Sequence, residues 1–291
     1  MVRSWKRSDL VGLVYTGPAG LVALVLFGIP IVVAFYMSLT DWPLIGNPRF
    51  VGLQQYQAIG SNDLLMSSIP FTLVYTAAAT TAFFVVALGL ALFVQDAKRG
   101  VGLFRTAFFL PSVVGVTSAT LLFYAMYNNE YGPLDDLLRA VGLAHGDVDF
   151  LGTQGSAFAS TLVLTTWRYA GFNMLLLLTG LQAIPKDLYE AAAVDGASRW
   201  RVFTQITLPL LRPSIALMLI LTVTGSLLVF EPFFVLTAGG PDNSTVTVVM
   251  AMFREAFTKF DLGAAAAISV VILIALVILN SLQFVALRKE D

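Results

Sequence analysis

The sequence has no cysteine, a single histidine (His145) and few charges, and each shortage removes a class of chemistry. Without cysteine there is neither a disulfide framework nor a thiolate metal site, and one histidine makes an imidazole site equally unpromising, so no metal ligands are assigned. No lysine follows a glycine, so the G-x-x-x-x-G-K-[ST] loop that cradles ATP phosphates is missing. Neither G-x-S-x-G nor H-E-x-x-H occurs, no nucleophile–base arrangement is evident, and no catalytic residue is assigned: the chain does not read as an enzyme. Charged residues make up 12% of the chain and sum to −1, a balance that says nothing about partners; no nucleic-acid contact is expected.

What the chain has instead is apolar length. Hydrophobic residues are 57% of the 291 and the mean hydropathy is +0.82, far above that of soluble domains. Crossing the hydrocarbon takes about 20 apolar residues. Runs near 10–38, 69–94, 104–127, 156–183, 213–237 and 263–287 meet that length, with Arg168 interrupting the fourth and Glu231 the fifth. The fold expected is all-α: a polytopic membrane protein of six transmembrane helices, one domain over 10–287 between short tails at 1–9 and 288–291. The first run follows a basic start but is too long for a signal-peptide core, so it reads as retained. Gly17, Pro18, Gly28 and Pro30 predict kinks within it. Twelve Lys and Arg residues lie in the tails and even-numbered loops against four in the odd-numbered ones, which puts both termini and the loop between helices four and five in the cytoplasm.

That loop, 185–213, differs from everything around it. Asp187 to Val194 has helix formers and an acidic first turn; Gly196 can take the left-handed conformation that ends a helix; Ser198 can cap a second one. Trp200, Phe203 and Ile206 share a side of that second helix, and Pro209 and Pro213 predict a break before the next apolar run. Helix, turn, helix results, presenting small side chains between Glu190 and Asp195. Small residues allow close approach and charges fix orientation, so the loop reads as a docking element.

Its residues carry a resemblance. Glu190-Ala191-Ala192, Gly196 and Ile206-x-Leu208-Pro209 match every position of E-A-A-x3-G-x9-I-x-L-P, and the chain thereby resembles the permeases of ABC importers, whose EAA loop this is. Asp195-Gly196-Ala197 and T-L-P-L-L-R-P at 207–213 are similar to the carbohydrate branch, the maltose and glycerol-phosphate permeases. The resemblance implies ATPase coupling through Glu190, Ala191, Ala192, Asp195, Gly196, Ile206, Leu208 and Pro209. It further implies an ABC ATPase dimer that binds ATP and Mg, with no cofactor in this chain, and an extracytoplasmic solute-binding protein that delivers a sugar or related polyol. Phe109-Leu110-Pro111, Phe230-Glu231-Pro232-Phe233 and L-T-x-G-G-P at 236–241 suggest a second, homologous permease as partner. The location implied is the cell membrane of a prokaryote, multi-pass and in contact with lipid, working by alternating access.

Candidate substrate contacts come from two helices. Thr165, Tyr169 and Phe172 share a face by i, i+4, i+7 spacing and, aligned on Trp167, match positions where the maltose permease contacts its sugar. Arg168 stands where that permease has an apolar residue. It lies roughly 18 Å from the outer end at about 1.5 Å per residue, so it must face a cavity or a partner group. It either binds substrate or serves as an ion-pair or hydrogen-bond partner. Thr222, Ser226 and Phe230 share a second face by i, i+4, i+8, with Glu231 next; hydroxyls in membrane helices also bond back to their own backbone. The acidic external loop, with Glu130, Asp135, Asp136, Asp147 and Asp149 against Arg139, reads as a solvated loop or as a rim facing a binding protein. A self-contained ion-coupled transporter using Arg168 and Glu231 is the alternative, but it leaves the 185–213 loop unexplained.

Overall fold

The computed structural model describes residues 7–43, 45–96, 100–128, 130–142 and 148–288. Arg3 and Lys6 of the basic tail, Lys98, Arg99, His145, Asp147 and the tail beyond residue 288 lie outside the described residues. The described residues fall into two compact units, one running to Asn62 and including Met252–Ala275, the other Asp63–Ala251 with the residues from Leu276 on.

The first unit opens with α1 (Arg7–Ala23), a π turn at Leu24–Gly28 and α2 (Ile29–Ser38), which form one uninterrupted helix. Pro30 has no N–H to give the carbonyl four residues back, and the turn before it widens, Ile29 N–H donating to the Leu24 carbonyl. A two-residue antiparallel ladder follows, Thr40–Asp41 (β1) on Arg49–Phe50 (β2), with Thr40 opposite Phe50. The short α3 (Gln54–Ile59) is tied to the end of α2 by Ser38 Oγ and Tyr56 OH at 2.7 Å.

The second unit is built on α4 (Asp63–Phe93) and α8 (Gln154–Ala183). Tyr75, Ala79, Phe83, Ala87 and Ala91 recur every fourth residue of α4, all buried, and join Met174, Leu177, Leu178 and Leu181 of α8 in one core cluster. Lipid tails are as apolar as leucine, so burial alone does not pair helices; the alanines let two backbones approach and dispersion holds them. Thr153 starts α8 with a capping box, its hydroxyl accepting from Ser156 N–H. Between these helices lie α5 (Val101–Val113), α6 (Val116–Met126) and α7 (Pro133–Ala140). After α8 come α9 (Lys186–Val194), α10 (Arg199–Val202), a π turn at Phe203–Thr207, α11 (Leu208–Leu227) and α12 (Glu231–Leu236). The chain ends in α13 (Val248–Phe257) and α14 (Leu262–Arg288). Late in α13, buried Glu255 accepts from Asn62 Nδ2 at 2.6 Å and pairs with Lys259 at 2.7 Å, closing the first unit.

By length and composition four described stretches can cross a membrane: Tyr15–Ser38, Asp63–Phe93, Arg199–Leu236 and Leu262–Ala286. Val101–Val113 with Val116–Met126 makes a fifth if the pair, bent by 95°, is one span. The expected third helix at 104–127 is thus two helices. The expected fourth, α8, is long enough but too polar by composition, because it carries Arg168, Asn173 and a series of hydroxyls. The break expected at Pro209 and Pro213 is absent. The π turn at Phe203–Thr207 absorbs the missing Pro209 N–H, with Leu208 N–H closing on the Phe203 carbonyl, and α11 continues through Pro213.

The acidic loop is braced by its own carboxylates. Asp135 is buried, pairs with Arg139 and accepts from Val148 N–H, and Asp149 accepts from Leu151 and Gly152 N–H. Glu130 and Asp136 remain exposed.

Candidate functional site

The bend between α5 and α6 is where the site begins. Val114 and Gly115 are extended (ψ 133° and 144°), so the helical ladder stops there and leaves backbone carbonyls without intrahelical partners. Within a span such carbonyls need protein partners, and α8 supplies one for Val114. Arg168 Nε donates to the Val114 carbonyl at 3.0 Å, Ser112 Oγ donates to the Arg168 carbonyl at 2.8 Å, and Phe172 N–H donates to Ser112 Oγ at 3.1 Å. Gly171 makes the approach possible: a Cβ there would stand 2.0 Å from the Phe108 carbonyl oxygen.

Beside this clamp lies a cavity of about 370 Å³, within the usual size range of small-molecule sites. Helix α8 lines it with Thr165, Arg168, Tyr169, Phe172 and Asn173; α11 adds Leu221, Thr222, Gly225 and Ser226. Glu231 and Pro232 of α12 close one side, and Tyr75, Phe83, Phe109, Ser112 and Val116 the others. The two faces read from helical spacing therefore do converge. Seven of the eight candidate substrate residues line this one space. Phe230 does not; it stacks on Phe234 at 5.0 Å. Helix α11 ends at Leu227 and Phe230 leaves helical geometry (φ −136°, ψ −66°), so a spacing counted from Thr222 loses its meaning before reaching it.

The lining hydroxyls differ in kind. Thr165 Oγ1 donates back to its own helix, to the Thr161 carbonyl at 2.8 Å, and accepts from Tyr75 OH at 3.0 Å, so it is occupied. Thr222 is 6% exposed and its Oγ1 has no partner among the described residues. A buried hydroxyl without a partner costs about 1–3 kcal/mol, which a bound solute can recover. Arg168 lays its guanidinium 4.5 Å from the Tyr169 ring centroid. Among the described residues no carboxylate stands within ion-pair distance of it, Glu231 included. Tyr75, Ser112 and Asn173 escaped the sequence reading. Asn173 was findable, being i+8 from Thr165 on the same face; Ser112 and Tyr75 lie on other helices and became visible only with packing.

Helices α8 and α11, which together supply half of this lining, are joined by the 184–207 segment. Helix α9 ends in a Schellman turn: Ala197 N–H donates to the Ala192 carbonyl at 2.9 Å, Gly196 N–H to Ala193 at 3.2 Å, and Gly196 sits at φ +68°. Ser198 caps α10 by accepting from Arg201 N–H. Tyr189 OH and Thr207 Oγ1, 3.2 Å apart, tie the first helix to the root of α11. Glu190, Ala191, Asp195 and Gly196 are exposed, Ala192 is buried, and Ile206, Leu208 and Pro209 are half-buried where the loop enters α11. Two large apolar side chains point outward here, Val194 at 88% and Trp200 at 73% exposure.

The family described as "Binding-protein-dependent transport system inner membrane component" matches residues 97–289. The multiple sugar-binding transport system permease protein MsmF of Streptococcus mutans is 32% identical over 268 residues, 92% of this chain and 91% of that one. The trehalose/maltose transport system permease protein MalF of Thermococcus litoralis is 34% identical over 265 residues, 91% of this chain and 89% of that one. Among solved structures, a chain of a bacterial ABC transporter involved in the import of the acidic polysaccharide alginate superposes with a TM-score of 0.84 at 21% identity, covering 98% of this chain and 97% of that one; the likeness is one of fold.

Proposed function

The chain belongs to the family of inner-membrane components of binding-protein-dependent transport systems, and from that membership we propose that it is the permease half of an ATP-binding-cassette importer for a sugar or related polyol. An extracytoplasmic binding protein hands over the solute, a second homologous permease completes the pore, and an ATPase dimer binding ATP and Mg supplies the work. The reading counts six spans, α8 and the bent α5–α6 pair each as one, so the two termini share a side, and the lysine and arginine count favours the cytoplasm for them and for the Glu190 loop.

One observation carries the reading. The exposed helix–turn–helix at 186–207 is covalently continuous with α8 and α11, the two helices that together supply half of the cavity lining. A displacement of that elbow by an ATPase is therefore delivered to both walls of the solute site. Coupling is then a free energy linking two separate sites, and the hydrolysis itself belongs to the partner. The names of the relatives support a carbohydrate cargo, and the cavity suits one: aromatic faces from Tyr169 and Phe172 beside the polar groups of Thr222, Ser226, Asn173 and Glu231. The ion-coupled alternative draws no support, since Arg168 spends its Nε on the Val114 carbonyl and Glu231 is not paired with it.

Reconstitution tests the proposal. Proteoliposomes holding both permeases and the ATPase, supplied with binding protein, should take up labelled sugar when ATP is present on the ATPase side. Uptake that persists without the ATPase subunit refutes it.

A further inference from the structure

We propose that the solute handled at this cavity carries an oxyanion, a carboxylate or a phosphate ester on a sugar or polyol, and that Arg168 binds it through its two terminal nitrogens. The inference rests on the importer reading above and narrows its cargo.

A guanidinium has five N–H donors. The structure accounts for one: Nε–H goes to the Val114 carbonyl. The four on the terminal nitrogens have no partner among the described residues, and the side chain lines the cavity. A cation within a span is expensive unless charge or water compensates it, and no described carboxylate pairs with it. The Nε bond and the Tyr169 ring, 4.5 Å from the guanidinium carbon, hold the group in place. Its fork is thus presented in one orientation, ready for the paired oxygens of a carboxylate or phosphate.

The rest of the cavity fits the remainder of such a molecule. Thr222 Oγ1 is buried there without a partner, as expected of a group that meets a ligand hydroxyl. Glu231, the one carboxylate in the described lining, is held apart from Arg168 beyond ion-pair distance. It can accept from sugar hydroxyls while the oxyanion meets Arg168. A neutral sugar would leave the four donors facing water only.

The experiment compares matched solutes in the complete reconstituted importer: galactose against galacturonate, and glycerol against glycerol 3-phosphate. Arg168→Gln keeps an N–H for Val114 and removes the charge; Arg168→Lys keeps the charge and removes the fork. The wild type should take up the charged member of at least one pair in preference to its neutral partner. The ratio of charged to neutral uptake should fall about ten- to a hundredfold in Arg168→Gln, the worth of a charge-assisted hydrogen bond, and less in Arg168→Lys. The pair that responds separates the carboxylate from the phosphate. If Arg168→Gln lowers both members of a pair equally, or the wild type takes up the neutral members alone, the oxyanion site is overturned while the importer reading stands. Uptake that needs no ATPase overturns the importer reading instead.

Discussion

Gly171→Ala isolates the contact on which the cavity depends. The added methyl would lie 2.0 Å from the Phe108 carbonyl oxygen and 2.7 Å from both the Phe108 carbonyl carbon and Phe109 Cα. Ordinary contact begins at 3.4 Å, and the obstructing atoms are backbone, which cannot rotate away. Helix α5 must therefore retreat from α8 by an ångström or more. Overpacking of this kind costs about 1–3 kcal/mol. The retreat also stretches the three hydrogen bonds of the clamp, each worth about 0.5–1.5 kcal/mol net. Against this stands the intrinsic preference of a helix for alanine over glycine, about 1 kcal/mol. The balance is a loss of about 2–5 kcal/mol, enough to lower the midpoint of thermal unfolding in detergent by several degrees. Gly89→Ala is the control: it lies in α4 with nothing within 4 Å of its added methyl, so it should be neutral or slightly stabilising. Unfolding curves of the three proteins, followed by tryptophan fluorescence, decide the matter. A Gly171→Ala protein as stable as Gly89→Ala would refute the packing argument and with it the clamp.

Gly196→Val should leave the spans intact but strain the turn at φ +68° by about 1–2 kcal/mol, so ATP-driven uptake falls while the chain still reaches the membrane; normal transport with normal ATPase co-purification would count against the elbow's role. Trp200→Ala removes a side chain 73% exposed, so folding should not suffer, whereas retention of the ATPase on affinity purification should weaken markedly. Thr222→Val deletes an unpartnered buried hydroxyl and should raise the KM for uptake without loss of thermal stability. Thr165→Val breaks the bond to Tyr75 and should instead cost about 1 kcal/mol of stability, and if the two variants behave alike the distinction between idle and occupied hydroxyls fails.

Much of this protein was determined by its sequence alone. Apolar runs of span length, the E-A-A-x3-G-x9-I-x-L-P elbow, the cap at Ser198 and the left-handed Gly196 are local properties. They depend on residues a few positions apart, where helix chemistry and spacing suffice. The two polar faces on α8 and α11 were legible for the same reason, as far as each helix stayed regular. Periodicity carries no information past a break, so Phe230 was placed on a face that ends at Leu227, and the 104–127 run concealed a 95° bend. Only the tertiary structure decided what Arg168 does with its Nε, why Gly171 must lack a side chain, and which threonine is idle. The first two turn on backbone carbonyls 54 and 63 positions away, that of Val114 just past α5 and that of Phe108 within it, and the third on the Tyr75 hydroxyl, 90 positions from Thr165; a sequence pattern does not encode the distance between two helices.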